Sequence, residues 1–118
     1  MQTIVMDGNL QIAEALAAFN ASTLAATAAL PKALDKCETE QQMQKIIADR
    51  DIVQLAYINA LHKSLKHTSP LFEQIAKDLA CAAKEIEKNS KKLTSAADAL
   101  SLLADAARLA SALALAFV

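Results

Sequence analysis

The apolar positions of this chain fall into helical registers, broken by two prolines and a few polar clusters. Ile12, Leu16, Phe19, Thr23, Ala26 and Leu30 are spaced 4, 3, 4, 3 and 4 apart. That is the a/d pattern of a helix packed on near-parallel neighbours. It predicts a first helix over residues 9–30, with Asp7 or Asn9 as its cap. Pro31 then ends the helix or opens a short turn to about Lys36. Thr39-Glu40-Gln41-Gln42 has the form of a capping box and starts a second helix, running from Glu40 to about Lys66. Between Ile52 and Leu61 only Gln54 and Asn59 are clearly polar, which predicts burial over much of that helix's circumference. Thr68 or Ser69 caps a third helix, with Pro70 in its first turn where a missing N–H costs little.

From Phe72 the same spacing continues through Ile75, Leu79, Ala82, Ile86, Asn89 and Leu93. It resumes in phase through Ala96, Leu100, Leu103, Ala107, Ala110, Ala114 and Phe117. Two architectures fit. One is a single helix of about 48 residues, ~72 Å long at 1.5 Å per residue, which would need an oligomer to bury its stripe. The other is a hairpin broken at residues 88–94, with Ser95-x-x-Asp98 opening a new helix. The hairpin yields four helices of similar length, about residues 9–30, 40–66, 70–89 and 94–117, and is preferred. The expected fold is therefore all-α, an antiparallel four-helix bundle in one domain over residues 1–118. Helical hairpins with one long C-terminal helix in an oligomer are the alternative.

Composition supports helices throughout. The chain has 27 alanines, a single glycine (Gly8) and two prolines. With 54% hydrophobic residues in 118 positions it can bury a core and is not a disordered chain.

Charge is distributed unevenly. No Asp, Glu, Lys or Arg lies between Ala15 and Leu30, and none follows Arg108. Eleven of the twelve Lys and Arg residues lie between Lys32 and Lys92. This pattern predicts that the second and third helices face water while the first and fourth are covered by a partner. Ala13, Ala17, Ala21, Ala25 and Ala29 follow at strict i, i+4 spacing and form a ridge without bulk. Such a ridge lets another helix approach below the usual axial distance of about 8–10 Å. If it meets a helix, Ala21→Leu overpacks and costs about 1–3 kcal/mol; if it faces water, the change stays within about 0.5 kcal/mol. Leu109, Leu113, Leu115, Phe117 and Val118 surround the last helix on all sides, as an interaction surface would. The expected interface thus comprises Ala13, Ala17, Ala21 and Ala25 with Leu109, Leu113, Leu115 and Phe117. Asn20, Thr23 and Thr27 form a polar line inside the charge-free segment. It is read either as hydroxyls bonding carbonyls one turn back or as a buried Asn that fixes helix register.

Candidate chemistry is sparse. The net charge of −1 and pI near 6.1 leave no electrostatic footprint for nucleic acid. Aromatics at 3% provide no stacking platform. Lys88, Lys91 and Lys92 read as a solvated helix end. Neither His62 nor His67 has a Glu three residues before it, so no Glu-x-x-His metal motif exists, and there is no His-Glu-x-x-His. A single glycine excludes a Gly-rich phosphate loop and a nucleophile elbow. Taking Ile47, Leu55, Ile58 and Leu65 as core puts Asp51 at the core edge with His62 on the same side. The two are about 16 Å apart along the helix and form no dyad. An ion pair of the Asp49-Arg50-Asp51 segment, with Arg50 or Lys45, is expected instead. No catalytic residue, metal or cofactor is anticipated.

Cys37 and Cys81 do not make a disulfide framework. They suggest a reduced cytoplasmic protein with one partly exposed and one buried thiol, a single bridge remaining open. The N-terminal residues lack the basic and apolar regions of a secretory signal. The apolar segment after Leu93 is interrupted by Asp98, Asp105 and Arg108 and falls short of the roughly 20 residues a spanning helix needs. The expected function is non-enzymatic: a helical protein–protein interaction module, as an adaptor, immunity-type inhibitor, chaperone or self-assembling subunit. Its partner would be a copy of itself or another helical protein. A lipid-facing or apolar-ligand-binding bundle is the alternative. Membrane contact is not favoured, because interfacial helices carry Lys or Arg with Trp or Phe opposite, whereas the first and fourth helices hold one Arg and no Trp.

Overall fold

The computed structural model describes residues 2–63, 70–89, 92 and 95–117, with side chains from Ile12 onward. Four helices account for it: α1 (Gln2–Lys36), α2 (Glu40–Leu61), α3 (Pro70–Asn89) and α4 (Ala96–Ala114). They form an antiparallel bundle, as the hydrophobic spacing predicts. α1 packs most extensively on α3, and α2 on α4. α1 also packs on α2, and α3 on α4, while α2 and α3 make no substantial contact among the described residues.

The breaks are set by side chains that satisfy helix ends. At α2 the Gln42 amide donates to Thr39 Oγ1 at 3.2 Å, and the Thr39 amide donates to Gln42 Oε1 at 3.3 Å. This is the reciprocal capping box. The Glu38 amide also donates to Gln42 Oε1, at 2.7 Å. At α4 the Asp98 amide donates to Ser95 Oγ at 3.2 Å. Residues 70–117 are thus two helices and not one, because Ser95 with extended backbone starts α4 afresh. The expected caps Thr68 and Ser69 lie outside the described residues, as do Lys91 and the end assigned to the second helix.

Three boundaries differ from expectation, both ends of α1 and the end of α2. α1 begins at Gln2 and continues through Pro31 to Lys36. A proline inside a helix removes the bond to the carbonyl four residues back and costs about 3 kcal/mol or more. Packing beyond it supplies the compensation. Ala33 is fully buried in a cluster with Ala26, Ile46, Ala99 and Leu103, and Leu34 and Cys37 pack against that cluster. α2 ends at Leu61, with His62 as its C-cap. At 1.5 Å per residue α1 is about 52 Å long and α2, α3 and α4 are about 28–33 Å. α1 therefore spans most of the 55 Å length of the molecule.

The core is built largely of alanine. One cluster joins Ala15, Ala18 and Phe19 of α1 to Val53 of α2, Leu79 and Ile86 of α3 and Leu113 of α4. The smaller cluster around Ile46 closes the other part of the bundle. Phe117, just beyond α4, turns back onto Phe19 with ring centroids 5.9 Å apart.

Candidate interaction surface

α2 buries Ile46, Asp49, Val53, Ala56 and Ala60, a 3, 4, 3, 4 stripe directed at α1 and α4. At about 100° per residue, the opposite half of the helix then carries Ile47, Leu55, Ile58 and Leu61, flanked by Met43 and Ile52. All six are exposed; Leu55 stands at 57% and Leu61 at 51% exposure. The expected core line Ile47–Leu55–Ile58 is thus on the outside. The stretch from Ile52 to Leu61 carries no charge and has Gln54 and Asn59 as its clearly polar members, and its own chain covers only one side. With α3 on a different corner of the bundle, α2 has two substantial neighbours, α1 and α4, and nothing over its outer face among the described residues.

Asp51 is the one acidic residue on this face between Ile47 and Leu61. Its Oδ1 accepts from Arg50 Nε at 2.9 Å, and its side chain is half exposed. The carboxylate at the core is Asp49, not Asp51. Asp49 is buried, and its Oδ1 accepts from Lys45 Nζ at 2.6 Å, whereas its Oδ2 has no hydrogen-bond partner. The ion pair with Lys45 was legible from the i, i+4 spacing; the burial was not.

The sequence-derived interface divides between solvent and core. Ala13, Ala17 and Ala21 are exposed, while Ala25 and Ala29 are buried. The geometry explains this. A strict i, i+4 line advances about 40° per step, so five members sweep from the outer face of α1 into the bundle. Leu109, Leu113 and Phe117 are buried in the chain's own core, and Leu115 alone of the four C-terminal positions is exposed, at 71%. The charge-free end of the chain is covered from within, because Phe117 folds onto Phe19. The polar line on α1 is also displaced: Asn20 and Thr27 face solvent. A register role for a buried Asn20 is excluded, and the Thr23 hydroxyl makes no bond to a carbonyl one turn back. The buried polar residue of α1 is Ser22, whose Oγ likewise has no partner.

Ala17 and Ala21 instead floor a groove of about 400 Å³ between α1 and α3, together with Ala18, Ala76 and Ala80. Lys77 and Lys84 stand along its α3 rim and Glu14 on its α1 side. Lys77 Nζ lies 3.5 Å from Glu73 Oε1. A smaller recess of about 160 Å³ between α3 and α4 is lined by Asp78, Cys81, Glu85, Asp105 and Arg108.

Other chemistry is limited. No group of three or more His, Cys, Asp or Glu capable of holding a metal occurs among the described residues. Cys37 and Cys81 are both free, the first half-buried and the second exposed. The Cys37 Sγ donates to the Ala33 carbonyl at 3.4 Å, and burial pushes its thiol pKa up. The segment Ile12–Lys36 of α1 is long and apolar enough to cross a membrane, but a core helix has the same length and composition. Comparison with protein-family models, with curated proteins and with solved structures finds no match for this chain.

Proposed function

We propose that this chain is a helical protein–protein interaction module that binds through the outward face of α2. The observation that carries the reading is the row Ile52, Leu55, Ile58 and Leu61, exposed on a helix segment with no charge, with Ile47 exposed on the other side of Asp51. Apolar residues scattered singly need no explanation, whereas a contiguous apolar patch marks an interaction site. The role envisaged is binding and not catalysis, in a reducing, cytoplasmic setting that suits two free thiols. A lipid-facing role is less favoured, because the face lacks the Trp and the row of basic residues of an interfacial helix.

Magnitude indicates the kind of contact. Covering a half-exposed Leu or Ile is worth on the order of 1 kcal/mol. Five such residues supply about 5 kcal/mol from one side, near the lower end of the roughly 4–15 kcal/mol cost of association. The contact is therefore reversible and needs a complementary surface on the partner. Sizing with light scattering over a concentration series, on the wild type and on Leu55→Glu, tests this. Assembly of the wild type that is lost in Leu55→Glu supports the reading; assembly unchanged by Leu55→Glu overturns it.

A further inference from the structure

We infer that the partner is a second copy of this chain, and that the α2 ridge of one copy seats in the alanine groove between α1 and α3 of the next. The inference rests on the reading of α2 given above and adds the occupant and its seat. Three observations carry it.

The first is shape. The α2 face presents large side chains, with Leu55, Ile58 and Leu61 projecting from consecutive turns. The groove presents only methyl groups on its floor, from Ala17, Ala21 and Ala80 among others. A cavity of roughly 150 Å³ accommodates a benzene ring, so a groove of about 400 Å³ accommodates the ends of two or three Leu or Ile side chains. Large residues on one surface and small ones on the other are the two halves of a helix-in-groove contact. The second is charge. Lys77 and Lys84 line the α3 rim of the groove, and Asp51 is the acidic residue in the middle of the α2 face. The groove lining is net basic, two lysines against Glu14, and Asp51 is half exposed with Oδ1 accepting from Arg50, so the two surfaces match in sign by a small margin. A net charge of −1 also leaves copies of the chain with little mutual repulsion. The third is placement. The groove lies between α1 and α3, and α2 makes no substantial contact with α3 among the described residues. One copy can then offer its ridge and its groove at the same time. The contact is head-to-tail, and it propagates into a filament or closes into a ring. An α2-to-α2 dimer would cover the ridges and leave both grooves open.

The test uses the full chain and two variants, followed by sizing with light scattering up to high micromolar concentration. Leu55→Glu spoils the ridge and keeps the groove. Ala17→Leu/Ala21→Leu fills the groove at two exposed positions and keeps the ridge. The wild type is expected to exceed the 12.5 kDa of one chain increasingly with concentration, and each variant alone is expected to stay at that mass. Mixed in equal amounts, the variants still offer one intact ridge and one intact groove. They should form a 1:1 complex of twice the monomer mass and go no further. Circular dichroism confirms that each is folded, and Leu55→Gln replaces Leu55→Glu if that variant loses helicity.

Failure of the mixture to associate overturns the pairing of ridge with groove. If Leu55→Glu is monomeric while Ala17→Leu/Ala21→Leu assembles like the wild type, the groove is not the seat and the α2 reading stands. If Leu55→Glu assembles like the wild type, the α2 reading itself falls. A wild type that stays at 12.5 kDa throughout removes the second copy as occupant, and co-sedimentation with phosphatidylcholine–phosphatidylserine vesicles then reports whether lipid is the occupant instead.

Discussion

The ring of Phe117 stands edge-on to the ring of Phe19, with centroids 5.9 Å apart and planes inclined by 61°. Both are buried, and they tie the end of the chain to the middle of α1. Edge-to-face aromatic pairs add about 0.5–1.5 kcal/mol beyond the area they bury. Phe117→Ala is expected to lower stability by about 3 kcal/mol, the low end for a buried aromatic because Phe117 lies beyond the last turn of α4. A urea denaturation midpoint measures it. A change below the range of ordinary surface substitutions would mean that the last turn does not dock.

Lys45 and Asp49 are the second pair with a measurable consequence. Asp49 is buried and Lys45 is 58% exposed, so the ammonium remains partly solvated while the carboxylate depends on it. Lys45→Met should destabilise by about 2 kcal/mol, since it leaves a buried charge with no partner. Lys45→Met/Asp49→Leu should recover most of that loss, because replacing both partners with apolar groups removes the desolvation penalty. A double-mutant cycle in urea separates this from two independent effects.

The alanine line on α1 gives a graded expectation. Ala17→Leu and Ala21→Leu lie at exposed positions and should change the stability of the isolated chain by no more than about 0.5 kcal/mol. Ala29→Leu, eight residues beyond Ala21 on a line that has by then entered the core, should cost about 1–3 kcal/mol by overpacking. Denaturation midpoints of the three variants, taken at low concentration, trace the turn of the line around the helix.

Thr39→Ala removes the acceptor for the Gln42 amide and should cost about 1 kcal/mol. Gln42→Ala should cost a comparable amount, because its Oε1 accepts from both the Glu38 and Thr39 amides. If Thr39→Ala leaves the midpoint unchanged, the cap is not formed in solution.

The two thiols should differ in reactivity. The thiolate is the nucleophile, and burial raises the pKa of Cys37, so less of it is ionised at a given pH. Mass spectrometry after iodoacetamide treatment at mildly alkaline pH should find Cys81, which is exposed, labelled first. Labelling of Cys37 should catch up as pH rises. The sign for stability follows from the same shift: folding favours the protonated Cys37, so its contribution is complete below the ordinary thiol range and declines as pH rises through it.

Local order was open to reading from the residues alone. Thr39 and Gln42 announced the start of α2, and Ser95 announced α4, because a cap needs only a side chain three residues from the amide it satisfies. The spacing through Phe72, Leu79 and Ile86, and through Leu103, Ala110 and Phe117, located much of the core faces of α3 and α4. Pro31 misled, since its local cost was offset by contacts of Ala33 with residues far along the chain.

The proposed interaction surface was legible only in kind. That some apolar surface would be left over was suggested by the charge-free segments. Its location was not. A helix with no charged side, such as the middle of α2 or the end of α4, does not show in its own residues which side the bundle will take. α4 and the turn after it were drawn into the core by Phe19, and α2 was left with its outer face uncovered. Helix propensity, capping and period are properties of neighbours in sequence, so the sequence by itself determined four helices, most of their ends and an all-α bundle. The choice of buried face depends on which helices meet. Only the tertiary structure decided that Ile47, Leu55, Ile58 and Leu61 lie outside while Leu109, Leu113 and Phe117 lie inside.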